Sequence, residues 1–353
     1  MKALPTTNDW VGVQVAGNGE DVIELCFQSK LPELRLLFEK AYNLRRKYFP
    51  DIIYFYVPGM VHFDTSFHRA VDPLRFPALS VTGRTCYLNC EHCRGRLLEN
   101  MIPVKDPDDM FKICLKIREH GGRGCLISGG SLKDGSVPLM KFIPVIKRIK
   151  EELGLKVVIH TGLIGPEIAE ALATVDVDGV MLDIIGSNET IKKVYHLDRS
   201  VEDFEYSLIL LEENDVPTIP HVVVGLHFGK LKGEKEALKI VARHRIAALV
   251  IVVFMSLKGT PMENVKPPPP IVVAKVMLAA RFLMPNTPLL LGCARPKGLY
   301  KANVDVFGIK AGVNGIAYPS EEAYNFATRL GLKVKIYDEC CSLLWKEIMK
   351  LYG

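Results

Sequence analysis

Residues 76–93 read FPALSVTGRTCYLNCEHC, and this stretch decides the fold that the sequence predicts. Its first part, residues 76–83, is an apolar run that ends in a glycine turn, a pattern typical of a buried strand followed by a loop. The loop then carries Cys86, Cys90 and Cys93 with spacings of three and two residues. Three thiolates so spaced can hold one corner of a cubane iron–sulfur cluster. No fourth cysteine lies nearby, so one iron is left for a ligand that is not protein.

The cysteine loop has two other interpretations. A zinc site needs a fourth ligand, and His92 lies inside the loop, where it cannot easily close on the same metal. The three thiols can also be structural, without any metal. The position of the loop directly after a predicted strand favours the cluster over both alternatives.

Composition limits the class of protein. The chain has 353 residues, of which 48% are hydrophobic and 24% charged, as in ordinary globular proteins. A net charge of +5 without a run of five like charges predicts no nucleic-acid or membrane partner, although an acidic substrate or protein partner is compatible with it. The nine cysteines favour metal or redox chemistry over a disulfide framework.

The start of the chain and its apolar runs predict a cytoplasmic location. Residues Met1–Pro5 lead into polar residues before any apolar stretch, unlike a signal peptide. The longest apolar runs are Ile246–Leu257, which is too short to span a bilayer, and Ile271–Met284, which Lys275 and Arg281 interrupt.

From residue 76 onward, short β-branched runs alternate with amphipathic helical segments, as in repeated βα units. The eight predicted strands are Leu79–Thr82, Gly124–Ser128, Val157–His160, Gly179–Asp183, Ile219–Gly225, Ala248–Phe254, Pro288–Gly292 and Gly312–Ala317. Among the predicted helices are Met110–Glu119, Pro166–Thr174 and Phe204–Glu212. We predict an α/β fold, a closed (β/α)8 barrel of the TIM type, over residues 76–320. Its site is expected at the carboxyl ends of the strands.

The flanking segments are predicted to extend this barrel. Residues 1–75 form an α/β extension, with a helix over Leu31–Phe49 and a strand over Ile52–Val57. Residues 321–353 are predicted to form a helical tail that packs on the barrel.

Most of the candidate binding residues follow predicted strands. They are Gly129, Gly130 and Ser131, then His160 and Thr161, then Asp183, and finally Gly225 and His227. The glycines let the backbone approach a ligand closely and present carbonyl groups to an ammonium group. The alternative for the polar residues is that each one caps a loop or the next helix.

A second group of cysteines lies late in the chain. Cys293 follows the seventh predicted strand, and Cys340 and Cys341 are adjacent near the end. Adjacent cysteines rarely form a disulfide with each other, so a shared metal, or one metal ligand beside one buried thiol, is the better interpretation. We predict a second iron–sulfur cluster held by these three thiols, the alternative being that they are core residues. Cys125 and Ser131 are reserve ligands, and Arg295 is a candidate ligand or nearby positive charge.

The cysteine loop resembles that of the radical S-adenosylmethionine (radical SAM) superfamily, in which the amino and carboxylate groups of SAM chelate the open iron. The resemblance extends from about residue 76 to residue 341, in the biotin synthase-like branch. Within that branch the segment Gly292–Pro296 and the Cys-Cys pair are most similar to the archaeal-type two-component lipoyl synthase subunits. The chain departs from the superfamily at His92, where an aromatic residue is usual, and at Ser131, where an acidic residue is usual.

The resemblance implies a 4Fe–4S cluster and SAM as cofactors. It assigns Cys86, Cys90 and Cys93 to the cluster and to catalysis. The residues that it places near SAM or the substrate are Tyr87, His92, Gly129, Gly130, Ser131, His160, Thr161, Asp183, Gly225 and His227. The cluster is expected to cleave SAM reductively to a 5′-deoxyadenosyl radical, which removes hydrogen from an unactivated carbon.

The resemblance further implies sulfur insertion into a protein-bound octanoyl chain, with an auxiliary iron–sulfur cluster as the sulfur donor. The expected partners are an acyl-carrying protein or peptide, a second radical SAM protein and a low-potential electron donor. Two alternatives stay open at this point. One is a radical SAM mutase or cofactor-biosynthesis enzyme without sulfur insertion, and the other is a cluster-bearing partner of a catalytic paralogue.

Overall fold

The computed structural model describes residues 19–59, 61–70 and 72–351. The chain start, Met1–Pro5, lies outside these residues, as does the rest of the segment before the first helix. Among the described helices, none is both long and apolar enough to cross a bilayer.

Apolar, β-branched runs form most of the strands. The strands are β1 (Ile52–Tyr56), β2 (Phe63–Asp64), β3 (Arg69–Ala70), β4 (Ala78–Ser80), β5 (Ile102–Pro103), β6 (Gly124–Ser128), β7 (Lys156–His160), β8 (Gly179–Asp183), β9 (Thr218–Val224), β10 (Leu249–Val253), β11 (Leu289–Leu291), β12 (Gly315–Ala317) and β13 (Lys333–Tyr337). All but β2 and β3 form one parallel sheet, in the order β13-β1-β12-β11-β10-β9-β8-β7-β6-β4-β5.

The helices cover the outer face of this sheet. They are α1 (Gly19–Gln28), α2 (Leu31–Tyr48), α3 (Pro107–Glu119), α4 (Ile143–Leu153), α5 (Pro166–Ala173), α6 (Asn188–Val194), α7 (Val201–Glu213), α8 (Glu234–Ala242), α9 (Pro270–Leu283), α10 (Leu299–Lys310), α11 (Glu321–Arg329) and α12 (Leu344–Met349). Several begin at signals that the sequence carries, such as the Asp106 side chain that accepts a hydrogen bond from the Asp109 backbone at the start of α3. The short helix α12 is the exception in position, since it lies inside the curled sheet.

The predicted fold class is confirmed, and all eight predicted strands are present as β4 and β6 to β12. The sheet differs from the prediction in that it is a curled half-barrel of 11 strands whose edges, β5 and β13, are not paired with each other in the described part of the chain. The predicted strand in the N-terminal extension is also present, and as β1 it pairs with both β12 and β13. The predicted helical tail contributes a strand as well, since β13 alternates Lys333 and Lys335 with Val334 and Ile336 and pairs with β1.

Side chains of the strands alternate between two cores, as a sheet covered on both faces requires. Ile53 and Phe55 pack outward in the large core shared with the helices. Tyr54 and Tyr56 point inward and join an inner core with residues of the C-terminal tail, among them Leu344. The interior of the half-barrel is therefore filled by the end of the chain.

Ion pairs and hydrogen bonds hold this tail at the amino-terminal ends of the strands. The buried Glu339 carboxylate forms an ion pair with Lys156, the first residue of β7, at 2.7 Å. Trp345 of α12 donates to the backbone carbonyl of Asp178, just before β8, at 3.0 Å. Lys346 pairs with the Asp178 carboxylate. The amino-terminal end of the interior is thus occupied, and the carboxyl ends of the strands are left for a site.

Candidate functional site

The loop after β4 folds so that its cysteines converge. Asn89 adopts a left-handed backbone conformation with φ 47°, and the amide of Arg94 then donates to the Cys90 carbonyl at 2.9 Å. This tight turn buries Cys90 and Cys93, while Cys86 is half-buried. The sulfur atoms of Cys90 and Cys93 and a ring nitrogen of His92 lie within 4.8 Å of one another.

The environment of the loop stabilises a thiolate. A hydrogen bond from the Cys90 thiol, together with the neighbouring His92, lowers the pKa of Cys93 to about 4 although burial opposes this. The same interaction with Cys93, together with burial, raises the pKa of Cys90. His92 keeps Nδ1 buried without a hydrogen-bond partner among the described residues. A thiolate is the form of cysteine that binds iron, so the loop is prepared for a soft metal.

The glycine pair after β6 packs directly against the cysteine loop. A Cβ at Gly130 would lie 2.0 Å from the Thr85 carbonyl oxygen and 2.6 Å from Cys86 Cα, so only glycine fits there. The carbonyl of Ser131 accepts a hydrogen bond from the Tyr87 amide at 2.8 Å. The structure therefore brings these sequence-predicted residues together with Gly129 at one edge of the loop.

Polar side chains at the ends of β7, β8 and β9 form a cluster, the Asp183 group, that lies next to the same loop. The Tyr195 hydroxyl donates to Asp183 at 3.1 Å, and His160 Nε2 lies 3.7 Å from the other Asp183 oxygen. The His160 ring is 5.6 Å from that of His221. Cys90 Sγ approaches the Tyr195 carbonyl at 3.8 Å, which connects this group to the cysteine loop.

Charges in this group are set by their mutual contacts. Burial raises the pKa of Asp183, but His160, His221 and the Tyr195 hydroxyl more than offset it, so the pKa is about 2. Burial and the neighbouring His160 lower the pKa of His221 to about 4. At neutral pH Asp183 is therefore an ionised carboxylate and His221 a neutral imidazole. The Asp183 side chain is 28% exposed, so a ligand can reach it.

The remaining strand-end residues contact other parts of the chain. Thr161 is buried, and its hydroxyl donates within the backbone of its own turn. Gly225 has φ 83° in the turn that precedes α8. The ring of His227 lies 3.0 Å from the Thr190 hydroxyl and 3.7 Å from Glu189, both on α6. The contacts of these three residues are with neighbouring loops and helices, and their binding roles stay predictions.

The three late cysteines come together on the inner face of the half-barrel. The Cys341 thiol interacts with the thiols of both Cys293 and Cys340, which raises its own pKa. The Cys341 thiol and the positive charge of Arg295 lower the pKa of Cys293 to about 7. Cys340 and Cys341 are buried, whereas Cys293 is exposed and opens the group toward the carboxyl ends of the strands.

Of the two roles predicted for Arg295, metal ligand and nearby positive charge, the structure agrees only with the second. Arg295 is fully buried, and its nitrogens already donate to Asp305 at 2.6 Å, to the Gly292 carbonyl at 2.6 Å and to the Ala317 carbonyl at 2.7 Å. It can supply positive charge but not a metal ligand.

Cys125 points to the outer core, with its sulfur 4.0 Å from that of Cys114 on α3. Side chains alternate along a strand, so Cys125 cannot face the inner group from its position in β6. The other reserve, Ser131, belongs to the turn beside the first cysteine loop.

Residues 80–243, which include the cysteine loop and the Asp183 group, match the profile of the Radical SAM superfamily. They form a radical SAM domain. The predicted resemblance to this superfamily is thereby confirmed for the part of the chain that carries the site.

Curated relatives of the radical SAM domain include two biotin synthases. That of Clostridium acetobutylicum is 21% identical over 220 residues, which cover 61% of this chain and 65% of the relative. That of Chlorobium phaeovibrioides is 22% identical over 218 residues, covering 60% and 65% respectively. The matched region thus spans 65% of the length of each relative.

Solved structures support the fold. Methylornithine synthase (PylB) aligns with a TM-score of 0.62 at 12% identity, over 94% of this chain and 96% of that one. The FeFe-hydrogenase maturase HydG from Carboxydothermus hydrogenoformans aligns with a TM-score of 0.63 at 14% identity, over 90% and 76%. At these identities the likeness concerns the architecture of the domain.

The residues of the radical SAM domain fit the cofactors that its family implies. Three cysteines on one loop, one of them held as a thiolate, suit an iron–sulfur cluster with one open iron. The buried Nδ1 of His92 has no hydrogen-bond partner among the described residues, and Gly130 allows the turn after β6 to lie directly against Cys86. Cys86, Cys90 and Cys93 would hold the cluster, with Gly129, Gly130 and Ser131 alongside.

Sequence reasoning missed Tyr195 and His221 in the radical SAM domain. His221 had a detectable signal, since it is a polar residue at an inward position of the apolar strand β9, two residues after Ile219. Tyr195 follows α6 without a distinguishing pattern. Its proximity to Asp183 arises only because the backbone after α6 binds the cysteine loop, with the Glu91 amide donating to the Val194 carbonyl at 2.9 Å.

Proposed function

We propose that this protein is a radical SAM sulfurtransferase of the lipoyl synthase type, which inserts sulfur into an octanoyl chain carried by a protein. The single observation that supports the sulfur chemistry is the cluster of Cys293, Cys340 and Cys341 on the inner face of the half-barrel. Cys293 is far in sequence from the adjacent pair Cys340 and Cys341, and a merely structural role would not require thiols at all three positions. The weak similarity to biotin synthases supports the same branch of the superfamily.

The proposed first centre, at Cys86, Cys90 and Cys93, supplies the radical. A 4Fe–4S cluster bound to Cys86, Cys90 and Cys93 would deliver the electron that cleaves SAM to a 5′-deoxyadenosyl radical. The chain's own residues then bind and orient SAM and the substrate. The turn at Gly129 and Gly130 allows close approach of backbone groups. The Asp183 carboxylate accepts hydrogen bonds from hydroxyl groups, and the walls of the half-barrel exclude water from the reacting carbon.

The second centre would hold the sulfur that is transferred. Cys293, Cys340 and Cys341 are its proposed ligands, and Arg295 provides a fixed positive charge that favours the thiolate of Cys293. Cys293 opens toward the carboxyl ends of the strands, the edge that also carries the first cysteine loop. We propose that the substrate carbon is held between the two groups. The proposed partners are an acyl-carrying protein, a second radical SAM protein and a low-potential electron donor.

Iron counting tests the second centre. After anaerobic reconstitution, the wild-type chain is expected to bind about eight irons, as two 4Fe–4S clusters require. Cys293→Ala/Cys341→Ala should bind about four and still cleave SAM. Cys114→Ala, which removes a buried thiol outside both groups, is the matched control and should keep the wild-type content. Equal iron in the double variant and the control would contradict the second centre.

Product analysis tests the reaction. The protein is reconstituted with isotopically heavy sulfide and incubated with SAM, a reductant, an octanoyl-lysine peptide and the companion protein. Mass spectrometry is expected to find heavy sulfur on the octanoyl chain, and none with the double variant. A rearranged product without sulfur, formed together with 5′-deoxyadenosine, would favour a mutase instead. No cleavage of SAM at all would favour a non-catalytic partner.

A further inference from the structure

Tyr56 carries a buried hydroxyl that has no hydrogen-bond partner among the described residues. It is the last residue of β1 and is 0% exposed. A buried phenol that donates to nothing loses its hydrogen bonds to water without compensation, so an unpartnered hydroxyl in a packed interior indicates a missing acceptor. The question is which acceptor the surroundings provide.

The position of Tyr56 places it beside the second cysteine group. Its carbonyl accepts a hydrogen bond from the Tyr318 amide at 2.7 Å, at the end of β12. Its ring stacks on that of Tyr337 at 5.6 Å, three residues before Cys340. Tyr56, Cys340 and Cys341 are members of the same inner core. The hydroxyl is therefore surrounded by the segments that carry the late cysteines.

The nearby hydroxyls of Tyr318, Tyr337 and Ser342 have hydrogen-bond partners in the protein, and Tyr56 differs from them in this respect. The Tyr318 hydroxyl donates to the Pro58 carbonyl at 2.6 Å, and the Tyr337 hydroxyl donates to Glu347 at 2.8 Å. Ser342 donates to the sulfur of Met181 at 2.7 Å. These bonds hold the inner core together, and of these four hydroxyls only that of Tyr56 is left to donate to a ligand.

The protonation state suits a donor. A phenol has an ordinary pKa of about 10, so the Tyr56 hydroxyl carries its proton at neutral pH. Thiolates and sulfides are acceptors without a proton of their own. An O–H group facing sulfur is therefore chemically complementary to it.

We propose that the Tyr56 hydroxyl donates a hydrogen bond to a sulfur atom of the iron–sulfur centre held by Cys293, Cys340 and Cys341. This inference rests on the proposed function, since it needs that second centre. Tyr56 is a positioning residue that acts through the sulfur. Hydrogen bonds to cluster sulfurs raise the reduction potential, because they stabilise the added negative charge of the reduced form.

The test uses a full-length parent variant, Cys86→Ala/Cys90→Ala/Cys93→Ala, which retains only the second centre. Its reduced form is studied by electron–nuclear double resonance in normal and heavy water. The parent is expected to show one strongly coupled, exchangeable proton. Tyr56→Phe in the parent should lose that proton and lower the reduction potential, with iron content unchanged.

Tyr54→Phe is the matched control. Tyr54 is on the same strand, points to the same inner core and also stacks on Tyr337, at 6.3 Å. Removing its hydroxyl should leave the coupled proton and the potential as in the parent. A merely structural role of Tyr56 would alter iron content or stability but not remove one exchangeable proton.

The outcomes separate this inference from the function on which it rests. Iron bound to the parent, with the same proton coupling and potential after Tyr56→Phe, overturns the role of Tyr56 alone. A parent that folds but binds no iron overturns the second centre and the role of Tyr56 together. Loss of the coupling in Tyr54→Phe but not in Tyr56→Phe assigns the donor to the wrong tyrosine and also overturns the inference.

Discussion

At the scale of the residue, Asp183 concentrates the polar contacts of the radical SAM domain. It is the only carboxylate in the group at the ends of β7 to β9, and it receives the Tyr195 hydroxyl at 3.1 Å while part of its surface stays exposed. A carboxylate kept ionised in a largely enclosed site is suited to bind ligand hydroxyl groups. Two predictions at this scale follow from the charges of this group.

We expect Asp183→Asn to weaken SAM binding about tenfold to a hundredfold, because hydrogen bonds to a charged acceptor contribute about 1.5–3 kcal/mol. Equilibrium dialysis with the cluster-loaded protein measures this. Tyr195→Phe keeps the carboxylate and removes only one of its donors, so its effect should be smaller. Equal SAM affinity in wild type and Asp183→Asn would place the SAM hydroxyl groups elsewhere.

His221 should make the stability of the fold depend on pH. Its pKa is about 4 in the folded protein against an ordinary value of 6.5, so the unfolded chain binds its proton first as the pH falls. Stability is therefore lost between pH 6.5 and 4, by about 1 to 3 kcal/mol. Urea unfolding of the metal-free protein at pH 7 and 4.5 should show a smaller loss in His221→Gln. His120→Gln, at an exposed position after α3, is the control and should behave as wild type.

At the scale of the element, the C-terminal tail is the part of the chain that completes the interior. The strand β13 adds to the sheet beside β1, and the following turn brings Cys340 and Cys341 into the inner core. Glu339 is 1% exposed between Lys156 and Arg123, which fixes the turn to the starts of β7 and β6. The position of the two cysteines therefore depends on an ion pair formed by a different residue.

Glu339→Gln is expected to destabilise the protein by about 2 to 3 kcal/mol, since it leaves Lys156 without its buried partner. We also expect lower iron content in the second centre than in the first, measured by iron analysis in the wild-type and Cys86→Ala/Cys90→Ala/Cys93→Ala backgrounds. Glu322→Gln in α11 is the control within the same tail, because that residue is exposed on the surface of its helix. The same iron loss in both variants would indicate general unfolding of the tail.

At the scale of the whole molecule, the sheet is open between β5 and β13 in the described part of the chain. Central strands such as β9 and β10 are hydrogen-bonded on both sides and covered on both faces. Edge strands have one free side. Local opening should therefore cost less at the two edges than at the centre.

Hydrogen exchange followed by mass spectrometry should reflect this gradient. Amides of β7 to β10 are expected to exchange slowest, and those of β5 and β13 much sooner. Protection of β13 equal to that of β9 would mean that this edge is covered by another element. A rise of protection at β13 on reconstitution with iron would instead agree with a metal centre held by the adjacent cysteines.

Local patterns in the sequence determined the eight βα strands, the cysteine loop and the glycine turn beside it. Each of these follows from a short run of residues, such as the apolar residues 76–81 or the pair Gly129 and Gly130, whose conformational preferences act within a few residues. The same holds for the class of the fold, since alternating strands and helices leave few arrangements of a parallel sheet.

Only the tertiary structure decided which distant residues meet. The pairing of β1 with β13, the approach of Cys341 to Cys293 and the contact of Tyr195 with Asp183 all join segments far apart in sequence. The outward direction of Cys125 and the hydrogen bonds that occupy the Arg295 nitrogens likewise depend on strand register and on neighbours from other strands. Sequence periodicity says how a residue sits in its own strand or helix. It does not say which strand lies beside it, because that choice is made by packing and hydrogen bonding across the whole sheet.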